Sequence, residues 1–141
     1  MIVALAFLIA FALVLIGVLH ALWAAGITWP LKSEKELVRT VAGFPDMEEI
    51  PPLTSGIVAV LLFAAGLWAV AMTRGMSNHA LTFGGIALAA VFIFRGGLGY
   101  TGWWRAKTPD EPFSRLDKIL YSPISLALGA GFAILVVARI F

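Results

Sequence analysis

An all-α integral membrane protein, with four transmembrane helices and two short interfacial helices in the first and third loops, is the fold class this sequence predicts. Three observations carry the expectation. Of 141 residues, 61% are hydrophobic and only 13% charged, against about 45–50% apolar in ordinary soluble domains. Four runs approach or exceed the roughly 20 apolar residues that cross a hydrocarbon core at about 1.5 Å rise per residue. The stretches between them carry helix-start signals and most of the charge. The whole chain, residues 1–141, reads as one four-helix transmembrane domain.

The first span, Ile2 to Trp29, has no charged side chain and is long enough to tilt or project. It lacks the basic n-region of a secretory signal, and nothing basic precedes Lys32, so it reads as a retained helix. In the first loop, Ser33-Glu34-Lys35-Glu36 forms a capping box. Leu37, Val38 and Val41 follow on one face and Gly43 stands as a stop, which predicts a short interfacial helix. The second span runs from Ser55 to Thr73 and the third from Ala80 to Thr101, with Arg95 inside it. In the third loop, Ser114-Arg115-Leu116-Asp117 repeats the capping-box pattern, and Leu116, Ile119 and Leu120 form an apolar stripe, predicting a second surface helix. The fourth span covers Pro123 to Arg139. Ser55, Ser77 and Ser122 are placed to cap helix starts, and Pro123 suits a first helical position. Gly17, Ala21 and Ala25 on the first helix, and Ser125, Gly129 and Ala133 on the fourth, recur every fourth residue, as close packing in lipid requires.

Charge excludes several functions. The net charge is +2, with no basic stripe interleaved with aromatics, so nucleic acid is not an expected partner. Without cysteine there is no disulfide framework, thiolate metal site or cysteine nucleophile. No cofactor is expected, and Gly96-Gly97-Leu98-Gly99 lacks the strand-turn-helix context of a dinucleotide site. Lys32, Lys35 and Arg39 in the first loop and Arg105, Lys107, Arg115 and Lys118 in the third face only Arg74 and Arg139 on the opposite side. The positive-inside rule therefore places both long loops in the cytoplasm and both termini outside it. Trp29, Trp103 and Trp104 would lie at the cytoplasmic interface and Trp68 nearer the other one.

Ionisable groups in hydrocarbon need a reason, at about 2.5–3.5 kcal/mol for a central Arg. Arg95 either snorkels to the interface, grips a carboxylate or phosphate with its planar fork, or packs. His20 shares a helical face with Gly17, Trp23 and Ala24, and reads as a structural hydrogen bonder, a ligand contact or a proton relay. One histidine without a second ligand at coordination spacing is no metal site, and His79 is expected at the far end. Asp117, Tyr121 and Ser125 follow at i, i+4 and i+8, with Pro123 expected to bend the chain between them; Asp117 also suits the capping box. Tyr100 and Tyr121 also suit interfacial anchors. His20, Trp23, Arg95, Tyr100, Asp117 and Tyr121 thus all map to the loop-bearing half. They define an expected polar pocket, roofed by the surface helices and lined by Trp103 or Trp104.

Three local patterns support a resemblance: His20-Ala21-Leu22-Trp23-Ala24 with Trp29-Pro30; Arg95-Gly96-Gly97-Leu98-Gly99-Tyr100; and Pro112-Phe113 with Leu116-Asp117 and Leu120-Tyr121-Ser122-Pro123. Through them the chain resembles the bacterial membrane-protein family designated domain of unknown function 3995. The resemblance implies a four-helix integral membrane protein and supplies neither substrate nor catalytic residues.

The leading expectation is a module in the lipid bilayer that binds a lipid-like or quinone-like amphiphile, with Arg95 as anion partner and His20 and Tyr121 as hydrogen-bonding groups. The alternatives are an acid–base membrane enzyme using His20 or Asp117, and a structural subunit whose small-residue stripes dock a second copy or another membrane protein. Transport has less support, because no acidic residue lies within a predicted span.

Overall fold

In hydrocarbon every backbone N–H and C=O must be satisfied within the chain, so long apolar segments fold as helices. The computed structural model describes residues 1–74 and 79–141. It contains four helices long and apolar enough to cross a membrane, and the last of these spans begins in the third loop. The elements are α1 (Ile2–Ala24), α2 (Glu34–Val41), α3 (Pro52–Ala71), α4 (His79–Leu98), α5 (Gly102–Lys107), α6 (Phe113–Leu116), a π-helical turn (Asp117–Tyr121) and α7 (Ser122–Ile140). Phe7, Phe11, Leu67, Phe83, Phe94 and Val137 are exposed on the four long helices, an apolar surface suited to lipid rather than water.

Two helix pairs make the bundle: α1 packs along α3, and α4 along α7. Glycines permit the approach. A Cβ on Gly17 would meet the Phe63 ring, and Gly66 faces the backbone of Ala10. A Cβ on Gly129 would lie 2.9 Å from Ile93 N and 3.1 Å from the Ala89 carbonyl oxygen. The pairs join through a core of Ala6, Ile9 and Leu13, Ala65 and Ala69, Met72, Ala89, and Leu128, Phe132, Leu135 and Val136. Phe92 stacks on Phe132 with ring centroids 5.9 Å apart. Of the two predicted stripes, Gly17 and Gly129 make close helix contacts. Ala25 lies beyond the end of α1 and is exposed, and Ser125 Oγ turns back to donate to the Tyr121 carbonyl at 2.9 Å.

The end away from the long loops has its own polar clamp. Arg139, in the last turn of α7, donates from Nη1 to the carbonyls of Met72 (2.7 Å) and Arg74 (3.0 Å). These follow the C-terminus of α3, where backbone carbonyls lack helical partners and a cation is favoured. Trp68 Nε1 donates to the Leu81 carbonyl at 3.2 Å, tying α3 to α4.

Several borders differ from the sequence reading. The first helix ends at Ala24 and the third at Leu98, which moves Arg95 into the last turn of α4. Helix α3 starts at Pro52, so Ser55 is buried inside the helix and makes no cap. Ser77 lies outside the described residues. In the first loop Ser33 Oγ does accept the Glu36 N–H at 3.2 Å, while Glu36 Oε2 accepts the N–H of Lys32 at 3.0 Å, one residue before the expected one. Gly43, at φ +68, ends α2 as expected.

The third loop departs most. Its predicted surface helix is the beginning of the fourth span: α6, the π turn and α7 run on without a break from Phe113 to Ile140. Ser114 caps nothing by its side chain, and α5 is an additional short helix whose cap is Thr101. Proline at 123 explains the wide turn, because it has no N–H and its ring opposes the carbonyl four residues earlier. The i→i+5 bond from Ser122 N–H to the Asp117 carbonyl accommodates both constraints.

Two glycines separate packing from helix propensity. Gly129→Ala gains up to about 1 kcal/mol of propensity but forces a methyl onto backbone atoms that cannot move aside, at about 1–3 kcal/mol. Unfolding in detergent micelles is expected to show Gly129→Ala destabilised. Gly97→Ala, where a Cβ meets nothing within 4 Å, should be neutral or stabilised. Equal effects at the two positions would contradict the packing.

Candidate functional site

Asp117 opens the π turn with its side chain 2% exposed. A carboxylate so placed needs donors, and three converge on it. Arg95 Nη2, from the last turn of α4, donates to Oδ1 at 2.7 Å. Trp104 Nε1, from α5, donates to Oδ2 at 2.9 Å. Ser122 Oγ, from the first turn of α7, donates to Oδ1 at 3.3 Å. The Arg95 guanidinium carbon also lies 5.6 Å from the centroid of the Trp104 ring, within cation–π range. Asp117 is therefore a shared acceptor for three helices rather than the capping-box partner of Ser114.

The backbone permits this convergence at Gly99 and Gly96. A Cβ on Gly99 would collide with Ser122 Oγ and come within 2.7 Å of Asp117 Oδ2; one on Gly96 would lie 2.8 Å from the Ser122 carbonyl oxygen. The glycine-rich stretch after Arg95 thus serves close helix approach. The π turn supplies the rest. In an i→i+5 turn the residue five positions on returns to the face of the first, which puts Ser122 beside Asp117.

The other expected site residues have separate engagements. Tyr121 Oη donates to the Thr40 carbonyl at 3.0 Å, reaching from the π turn to α2. Tyr100 Oη donates to the Lys118 carbonyl at 3.0 Å. His20 Nδ1 lies 2.9 Å from the Ile16 carbonyl oxygen, and its ring tilts against Trp23 at 4.8 Å. Trp23 Nε1 donates to the Trp29 carbonyl at 3.1 Å. The structure thus brings Arg95, Asp117 and Trp104 together and adds Ser122. Among the described residues, no hydrogen bond or ring contact links His20 and Trp23 to that cluster.

The two loops also lock onto each other. Phe113 is buried beneath Gly43 and lies 5.8 Å from the Tyr121 ring, and Phe44 meets Trp104 edge-on at 5.8 Å. Two cavities open at this end. One, of about 610 Å³, is apolar and lies between Ala24 of α1 and Leu53, Gly56, Ile57, Val60 and Leu61 of α3. The other, of about 370 Å³, is polar and lies between α2 and Pro112. Neither is lined by the six expected site residues.

Arg95 is not fully occupied by this arrangement. Its side chain is 34% exposed, it donates to Asp117 through a single nitrogen, and Nη1 is buried without an acceptor among the described residues. A guanidinium carries five N–H donors, so donors remain after Asp117 is served.

Removing the shared acceptor would leave a cation, an indole N–H and a hydroxyl without it. Asp117→Ala is expected to lower unfolding stability by about 2–4 kcal/mol, below the top of the buried-pair range because Arg95 is partly exposed. Thermal unfolding in detergent measures this, and a loss under about 0.5 kcal/mol, the usual size of a surface substitution, would contradict the role given to Asp117.

The model of the family described as Protein of unknown function (DUF3995) matches residues 13–132. No curated protein and no solved structure matches the chain. His20, Arg95, Trp104, Asp117 and Ser122 all lie inside the matched stretch. With most of its length matched, from the middle of α1 to the middle of α7, this integral membrane protein belongs to the DUF3995 family.

Proposed function

We propose that the protein is a small membrane module that binds an amphiphile with an anionic or quinone-like head at its loop-bearing end. The excess of Lys and Arg in the long loops supports the cytoplasmic side for that end, with both termini outside, in a membrane that this reading takes to be a bacterial inner membrane. The observation that carries the reading is the asymmetry of the ion pair. Asp117 is buried and engaged by three donors, whereas Arg95 is one-third exposed and gives it one nitrogen. A head group with oxygen acceptors would engage the remaining donors of Arg95 beside the Trp104 ring. The apolar groove between Ala24, Gly56 and Val60 at the same end suits an acyl or isoprenoid tail. His20, with Nε2 unpartnered among the described residues, and Trp23 would contact that ligand from α1. Tyr100 and Tyr121 would line its approach.

Acid–base chemistry has less support, since both Asp117 oxygens already accept hydrogen bonds and the nearest tyrosine hydroxyls donate to backbone carbonyls. A subunit role in a larger membrane assembly is favoured by one observation, the engagement of those polar groups within the chain, which would make the cluster a device for folding alone.

The paired variant Arg95→Gln/Asp117→Asn separates these readings, because it removes both charges without leaving one orphaned. The binding reading expects it to fold but to retain co-purifying lipid about tenfold less, the effect of losing charge-assisted hydrogen bonds of about 1.5 kcal/mol or more. Native mass spectrometry measures the retention. Unchanged lipid retention, with unchanged stabilisation by added lipid, would overturn the reading in favour of a scaffold.

A further inference from the structure

The polar cavity on α2 is separate from the Arg95 cluster, and none of the chemistry above uses it. It holds about 370 Å³ between Ser33, Lys35, Glu36, Arg39, Thr40 and Pro112, at the small end of ligand pockets and large enough for a head group. Its charges are unequally engaged. Glu36 Oε2 already accepts the Lys32 N–H, while Lys35 and Arg39 have no hydrogen bond or ion pair among the described residues. Ser33 Oγ accepts the Glu36 N–H, which leaves its own proton to donate outward.

The helix that carries the cations is anchored. Leu37 and Val38 are buried on the inner face of α2, and the Tyr121 hydroxyl is bonded to the Thr40 carbonyl. Rotation of α2 would break that bond and expose the two apolar residues. Lys35 and Arg39, one helical turn apart, therefore stay on the cavity side. Because α2 connects α1 to α3 outside the candidate spans, the cavity lies on the side where the head groups of a bilayer would be met. We propose that Lys35, Arg39 and Ser33 form a binding site for a phosphate oxyanion, supplied by a phospholipid head group or by free phosphate. The site is independent of the Arg95 reading.

The test uses the full chain in nanodiscs of phosphatidylcholine with and without phosphatidylglycerol, and in phosphatidylcholine nanodiscs with inorganic phosphate. Lys35→Gln/Arg39→Gln is expected to weaken preferential phosphatidylglycerol retention at least about tenfold, the effect of losing a charge-assisted hydrogen bond to the oxyanion. Stabilisation by inorganic phosphate that disappears in this variant assigns the site to free phosphate as well. Retention of phosphatidylglycerol without any response to inorganic phosphate assigns it to the lipid head. The equal-charge variant Lys107→Gln/Lys118→Gln should leave retention unchanged; a loss equal to that of Lys35→Gln/Arg39→Gln would show bulk attraction and overturn the site. Full retention and full phosphate response in Lys35→Gln/Arg39→Gln would overturn it too. Failure of the Arg95 reading shows instead in Arg95→Gln/Asp117→Asn, which leaves this cavity intact.

Discussion

A carboxylate buried at the edge of a hydrocarbon layer must be neutralised and hydrogen-bonded, and Asp117 imposes that requirement on three helices at once. Arg95 fixes α4 to it, Trp104 fixes α5, and Ser122 fixes the start of α7. The glycines at 96 and 99 exist in a place where any larger residue would hold α4 away from Ser122. The π turn before Pro123 returns the serine hydroxyl to the acid. Each of these local features is unfavourable or merely permissive alone, and the shared acceptor gives them a common cause.

Around this hub the rest of the bundle obeys the weaker rules of lipid. Helices gain little from burying apolar surface against one another there, so close backbone contact decides the packing. Gly66 and Gly129 supply it within the two helix pairs, while Gly17 makes room for the Phe63 ring and Gly131, between the pairs, for the Ile9 side chain. Polar clamps then hold both ends: Arg139 closes the short-loop end on the carbonyls after α3, and the Asp117 cluster closes the other. The two long loops are joined by Phe113 under Gly43, Phe44 against Trp104 and Tyr121 on Thr40. They form a polar and aromatic layer at this end of the bundle.

Much of this was legible in the residues themselves. Span number and location follow from hydropathy, and the α2 start and stop follow from Ser33, Glu36 and Gly43, because these signals are local. The pairing of Arg95 with Asp117 was harder to read. Sequence distance hides which residue reaches a buried arginine, and Asp117 also fitted a capping box with Ser114. Spacing alone makes Ser122 a helix cap, because an α-helical register places Tyr121, not Ser122, over Asp117. Only the i→i+5 turn reverses that order, and its signal, Pro123 following a continuous helical stretch, admits a bend equally well. The unequal engagement of Lys35 and Glu36 could not be inferred from composition, since it depends on which backbone amide Glu36 reaches.

Direct coupling between Arg95 and Asp117 joins α4 to the π turn. A double-mutant cycle in unfolding free energy, using Arg95→Gln and Asp117→Asn separately and together in the same micelle, measures that coupling without reference to any ligand. The structure predicts a favourable interaction of about 1–3 kcal/mol, with the double variant more stable than the sum of the single losses allows. Losses that add within about 0.5 kcal/mol would mean the two side chains act independently, and the shared-acceptor account of this end of the bundle would be contradicted.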